Sequence, residues 1–251
     1  MVLALPLLSL LSGCVPAYLY ETDEARDDGL VSWSGWVFAD IPVDGAAVLV
    51  EGLITVQAID GQPLAEGIPS DRNPGYWQIE VPPHEKVRIR IEGPSTQPTL
   101  WRTITPGARA YWFAGALFTV SSETLAPFWQ QLQQMMDTPT VNEDSMSLYG
   151  APSILDEADE AAWTGAALSL WHENGDIYEV YALATDEASG GLVAATPFTG
   201  PISAFAVPSI APGTVSLVID ASDGRSTVME WTGAAGDLLS AYYLVLPERS
   251  E

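Results

Sequence analysis

Two neighbouring stretches in the first half of the chain limit what it can fold into. In one, Trp77, Ile79 and Val81 alternate with Gln78 and Glu80; in the other, Val87, Ile89 and Ile91 alternate with Arg88 and Arg90. A period of two is the signature of a strand with one face buried. Pro82-Pro83-His84-Glu85 lies between them, so the pattern predicts a half-buried antiparallel hairpin. Its apolar set lines a core, and Glu80 meets the arginines on the solvent side in a cross-strand ion pair of modest worth.

The same grammar extends over most of the chain. From Trp33 to Val120, short β-branched and aromatic runs are punctuated by Asp44-Gly45, Asp60-Gly61 and Asn73-Pro74-Gly75. Strands return at Leu168–His172 and Ile177–Leu183, which flank Glu173-Asn174-Gly175-Asp176, a strong hairpin signal. Val215–Ile219, Thr227–Trp231 and Ala241–Leu246 complete the second strand-rich region. Between the regions, Leu125, Phe128, Trp129, Leu132, Met135 and Met136 fall at the spacing of an amphipathic helix over Thr124–Asp137, with Thr124 as its cap. Such a stripe reads as core packing. The polar, Pro-containing stretch Thr138–Pro152 reads as a linker. Ser153 with Asp156 resembles a capping box for a short helix through Trp163.

The two strand regions match in order and spacing. Trp33-Ser34-Gly35 pairs with Trp163-Thr164-Gly165, the run Gly75–Pro82 with Gly200–Pro208, Val87–Ile91 with Val215–Ile219, and Tyr111–Val120 with Ala241–Leu246. The recurring phrase is a glycine, alternating apolar residues, Val-Pro and a further alternating strand; the first copy adds Gly45-Ala46-Ala47-Val48-Leu49-Val50. This resembles the carboxypeptidase regulatory-like domain, a transthyretin-like seven-stranded sandwich, and other immunoglobulin-like sandwiches share much of it. The expected fold is therefore all-β: two tandem antiparallel β-sandwich domains joined by an amphipathic helix. The expected boundaries are a signal peptide at 1–13, an acidic tether at 14–32, sandwiches at 33–121 and 153–251, and helix and linker at 122–152.

The amino-terminal stretch decides the expected address. Val2–Leu11 is an apolar run about half the roughly 20 residues a membrane-spanning helix needs, the length of a secretory h-region. It ends in Leu11-Ser12-Gly13-Cys14, which resembles the lipobox of bacterial lipoproteins, a family cleaved before the cysteine, here between Gly13 and Cys14. The resemblance implies acyl chains on Cys14, and two or more would hold the protein to a membrane. Cys14 is the single cysteine of the chain, so no intramolecular disulfide can form and the fold rests on its core. The run lacks a preceding basic residue, which sets the expectation that translation starts upstream. Val15, following the cysteine, implies by the same resemblance an outer-membrane rather than inner-membrane destination.

Thirty-three acidic residues against nine basic ones give a net charge of −24, which repels nucleic acid and anionic headgroups. Asp156, Glu157, Asp159 and Glu160 are the candidates for a cation site, but they lack the Asp-x-Asp-x-Asp-Gly order of a common calcium loop and suit the positive end of a helix instead. No metal site and no cofactor is assigned. Only two histidines are present, His84 and His172, and neither a zinc-protease motif nor a P-loop nor a nucleophile elbow appears. The reading is a lipid-anchored envelope protein of structural or binding role, not an enzyme, whose partners are the membrane through Cys14 and an envelope protein or glycan. The alternatives are a carbohydrate- or peptidoglycan-binding lipoprotein, motivated by nine tryptophans, and a carboxylate-based hydrolase.

Overall fold

The structure is a computed structural model that describes residues 19–21, 30–39, 48–49, 53–67, 76–93, 96–105, 111–119, 122–152, 157–185, 192–194, 203–244 and 246–247. Gly13, Cys14 and Asp156 lie outside the described residues, as does most of the Gly45–Val50 motif. The elements begin with β1 (Leu19–Glu21), β2 (Val31–Ala39), β3 (Val48–Leu49), β4 (Leu53–Ala58), β5 (Pro63–Gly67), β6 (Tyr76–Val81), β7 (Val87–Glu92), β8 (Thr99–Leu100) and β9 (Tyr111–Thr119). Helix α1 (Ser122–Met136), β10 (Met146–Pro152) and helix α2 (Glu157–Trp163) follow. The rest is β11 (Ala167–His172), β12 (Ile177–Tyr178), β13 (Tyr181–Thr185), β14 (Leu192–Ala194), β15 (Ala204–Ile210), β16 (Gly213–Asp220), β17 (Ser226–Gly233) and β18 (Leu238–Leu244). The fold is all-β, as expected, and the described strands form three sheets.

One sheet has the order β1-β9-β2-β3 with β6 also on β2; a second runs β14-β13-β15-β10-β18-β8-β7-β4-β5; the third is β12-β11-β16-β17. Pairing is antiparallel except for the ladders β2·β9, β10·β18 and β18·β8. The nine-stranded sheet contributes to two sandwiches. Its β4, β5, β7 and β8 end faces β2 and β6 across a core of Val31, Trp33, Trp77, Ile79 and Val81 against Ile54, Val56, Val87, Ile89 and Ile91. Its other end faces β11, β16 and β17 across a core that includes Leu148, Phe205 and Leu239 on one side and Leu170, Leu217 and Trp231 on the other.

The period-two stretches are strands, but they do not pair with each other. β6 pairs with β2, whereas β7 pairs with β4 and β8, so the two sit in opposite layers of the first sandwich. Pro82 and Pro83 offer no N–H to a tight hairpin ladder, and His84 takes a positive φ of 65°, turning the chain from one sheet to the other. The apolar faces of both strands still meet in one core, which is why alternation alone could not separate an arch from a hairpin. The expected pairing of Glu80 with the arginines is lost with the hairpin.

A second correction concerns Thr138–Pro152, read as a linker. Its second half is β10, the strand between β15 and β18, and Ser145–Gly150 are all buried. Met146 and Leu148 face the sandwich core while Tyr149 faces α1. A strand covered on both sides shows no alternation, and Ser147 and Gly150 disguise it further. The helix itself forms where its spacing predicts, starting two residues earlier, so Thr124 lies inside it rather than at its cap. Leu125, Phe128 and Leu132 pack on Tyr149, Leu183, Ala204, Ala206 and Leu238, with Phe128 edge-on to Tyr149 at 5.2 Å. The Asn174-Gly175 hairpin also forms, pairing Trp171 with Ile177 and Leu170 with Tyr178. Its second strand stops there, and Tyr181–Thr185 crosses to β15 in the nine-stranded sheet.

One pattern of strand pairing occurs twice. β2 pairs antiparallel with β6 and parallel with β9; β10 pairs antiparallel with β15 and parallel with β18. Likewise β7 lies beside β4 and β8, and β16 beside β11 and β17. The proposed Trp33–Trp163 correspondence fails, since Trp33 lies on β2 and Trp163 ends α2. The strand that answers β2 is β10. Val207-Pro208, matched to Val81-Pro82, lies within β15, where a register shift against β10 accommodates the proline.

Candidate functional site

The described carboxylates among those singled out in the sequence, Glu157, Asp159 and Glu160, have structural employment. Glu157, Asp159 and Glu160 occupy the first turn of α2, where their charge suits the helix end. Asp159 is buried and accepts a hydrogen bond from Arg225 Nη2 at 2.9 Å. Arg225 also bonds Asp223 at 2.8 Å and the Pro247 carbonyl at 3.3 Å. Burial pulls the Arg225 guanidinium down, but the hydrogen bonds to Asp159 and Asp223 outweigh it and leave the group above its ordinary value. These contacts fasten α2 to the β16–β17 turn, and Ser222 adds a hydrogen bond to the Ala161 carbonyl at 2.9 Å. Among the described residues no group of three or more His, Cys, Asp or Glu is placed to hold a metal ion.

The histidines are likewise placed by the backbone. His84 is exposed in the arch between β6 and β7. His172 is buried at the end of β11; its Nδ1 accepts from the Asn174 N–H at 3.2 Å, which leaves Nε2 to donate to the Pro212 carbonyl at 3.3 Å. Gly213 is required beside it, because its φ is 140° and a β-carbon there would stand 2.9 Å from Nε2.

Two features were missed by sequence reasoning. The first is the seam between the halves. Arg88 and Arg90 lie on the face of β7 turned away from its core, and Lys86 continues the alternation just before the strand. Lys86 pairs with Glu230, Arg88 donates Nη1 to the Thr232 carbonyl, and Arg90 Nη1 meets Asp237 Oδ1 at 2.5 Å. Asp237 is 1% exposed, and its Oδ2 accepts from the Ala234 N–H at 2.8 Å. Burial pushes its carboxyl above the ordinary value despite Ala234, Arg90 and Arg88 pulling the other way. Backbone bonds run alongside, from Leu238 N to Pro98 O and from Thr103 N to Glu230 O, each 2.8 Å.

The second is the outward face of the sheet β12-β11-β16-β17. Trp33, Trp77, Trp101, Trp163 and Trp231 are buried in cores, and Trp129, on α1, is half-buried, so the abundance of tryptophan is mostly packing. Trp171 differs, being 45% exposed on β11. Ile177 and Val228, 59% and 62% exposed, share its face. The register sets Ile177, Trp171, Ser216 and Glu230 in one row across the sheet and Ser169, Val218 and Val228 in the next. The indole N–H donates to Ser169 Oγ at 3.1 Å, which fixes the ring in place.

No protein-family model and no curated protein matches the chain. Among solved structures, the Bacillus anthracis TIE protein aligns over 86% of this chain and 34% of its own at 9% identity and a TM-score of 0.28. This chain thus spans about a third of that protein's length. A shaft pilin of Lactobacillus rhamnosus GG aligns over 89% and 99% at 9% identity with a TM-score of 0.23. The minor pilin of Streptococcus agalactiae aligns over 88% and 98% at 7% identity, also with a TM-score of 0.23. Likenesses this slight carry no argument about the fold or work of this chain.

Proposed function

We propose that the chain is a cell-envelope protein held to a membrane by lipid on Cys14, whose β-rich body is a non-catalytic structural or binding unit. The observation that carries it is the apolar run ending in Leu11-Ser12-Gly13-Cys14 in a chain with no other cysteine. The body fits a tethered role. No helix among the described residues is long and apolar enough to cross a membrane. The buried ionisable groups Asp159, Asp237 and His172 hold elements together. The recurrence of one strand order in the two halves supports the finer reading of two transthyretin-like modules, and Val15 supports the outer membrane as the destination.

The test is mass spectrometry of the native protein taken from the membrane fraction of its bacterial host. An amino terminus at an acylated Cys14 is expected, with Cys14→Ser leaving the protein unacylated and uncleaved. An unmodified thiol at Cys14, or residues 1–13 still attached to the mature protein, overturns the proposal.

A further inference from the structure

We propose that the outward face of the sheet β12-β11-β16-β17 is a platform for an uncharged polysaccharide, with Trp171 as the residue on which a sugar ring stacks. The inference rests on the reading of the body as a binding unit and names the site and ligand class. Three observations carry it.

The first is the ring itself. An exposed tryptophan with a free indole would fold down over Ile177 and Val218; here Ser169 takes the N–H and holds the plane. A π face is negative, and the axial C–H groups of a pyranose present the matching positive edge. The hydroxyls of Ser169 and Ser216, on the same side of the sheet, supply hydrogen-bond partners for a sugar's own hydroxyls.

The second is charge. The chain carries −24 overall, yet the ionisable side chains on the strands of this face are Asp220 and Glu230, and Glu230 is already paired with Lys86. A polyanion is repelled by the whole protein, and a polycation would seek its acidic surfaces rather than this one. A second copy would bring a second charge of −24 to meet the first. An uncharged ligand suits a charge-poor face.

The third is size. Strands of two, six, eight and eight residues, about 4.8 Å apart and rising about 3.3 Å per residue, present roughly 400 Å². A stable protein interface takes roughly 800 Å² from each partner. The face is too small to hold a protein by itself, whereas a few sugar rings need less.

The test is affinity electrophoresis of the full-length protein in a neutral, non-glycosidic detergent. The gels contain dextran, laminarin, hydroxyethylcellulose or galactomannan, with the polyanion alginate as a control. At least one uncharged polysaccharide is expected to retard the protein, and Trp171→Ala should weaken that retention at least about tenfold while Trp171→Phe keeps part of it. The melting temperature should be unmoved in both variants, because the ring lies outside the cores. Retardation by none of the four, retention unchanged in Trp171→Ala, or a wild-type dimer that Trp171→Ala dissociates in sedimentation each overturns the proposal. Acylation of Cys14 is read separately by mass spectrometry, so loss of one conclusion leaves the other standing.

Discussion

Replacing Gly150 with alanine should destabilise the protein, although an alanine is ordinarily the better residue in a strand. Where nothing clashes, Gly→Ala stabilises by about 0.4–1 kcal/mol because the unfolded chain loses freedom. At Gly150 an added β-carbon would stand 2.3 Å from Cζ and 2.4 Å from Cε2 of Phe205, and 2.8 Å from Cβ of Ala241. Carbon atoms rest about 3.5–4.0 Å apart, so the ring must retreat by more than about 1 Å. Phe205 is fully buried in the core shared with Leu148 and Trp231, where packing leaves no such room. Overpacking costs about 1–3 kcal/mol, and three contacts this short put the cost at the top of that range. The net loss is about 2–3 kcal/mol, which at a urea slope of roughly 2.5 kcal/mol/M lowers the midpoint by about 1 M. Phe205→Leu, costly by about 1–2 kcal/mol alone, should make room. In the double variant the losses should fall short of additivity by at least about 1 kcal/mol. A midpoint unchanged or raised in Gly150→Ala, or strict additivity in the double variant, refutes the packing argument.

Leu100 lies on β8, from the first strand region, yet it is buried in the second region's core with Met146 and Leu239. Leu100→Ala should cost about 2–5 kcal/mol, and hydrogen exchange should show the lost protection in β10 and β18; a loss confined to β4 and β7 would contradict this. The buried Asp237 carboxyl titrates above its ordinary value, with burial as the dominant cause. Its stabilisation is whole below the unfolded value of about 3.9 and declines as pH rises through the folded one. Asp237→Asn removes this titration, so the variant's urea midpoint should gain on wild type between about pH 3.5 and 7; a gain by the wild type instead would reverse the sign.

The strands with one wet face were legible because period two survives wherever a sheet meets solvent. β6, β16 and β17 show it, β7 keeps it because its second face carries the cations of the seam, and the Asn174-Gly175 turn fixed one hairpin from two residues. β10 was not legible, because its neighbours cover both faces and its glycine answers to Phe205, a residue 55 positions away. Partners were harder to read than strands. Val87–Ile91 declares a buried face without saying which strand lies beside it, and so the arch at Pro82-Pro83 passed for a hairpin. The exposed Trp171 was hidden among eight other tryptophans, of which the fold puts Trp33, Trp77, Trp101, Trp163 and Trp231 in cores.

The placement of the basic residues explains how two acidic halves can share one sheet. With 33 acids and nine bases, any close approach of two surfaces is opposed by repulsion unless cations stand between them. Three of the nine, Lys86, Arg88 and Arg90, fall on alternate positions of one stretch and all reach across the seam to Glu230, the Thr232 carbonyl and Asp237. The exposed Lys86–Glu230 pair contributes little by itself. The buried Asp237 matters more, because it receives both Arg90 and the Ala234 N–H where water cannot substitute. Backbone bonds from β18 to the Pro98 stretch and from Thr103 to β17 then fix the register that brings these charges together. The alternation that buries Val87, Ile89 and Ile91 in one core thus necessarily aims the cations at the other half, and one strand serves both cohesion within its sandwich and attachment to the next.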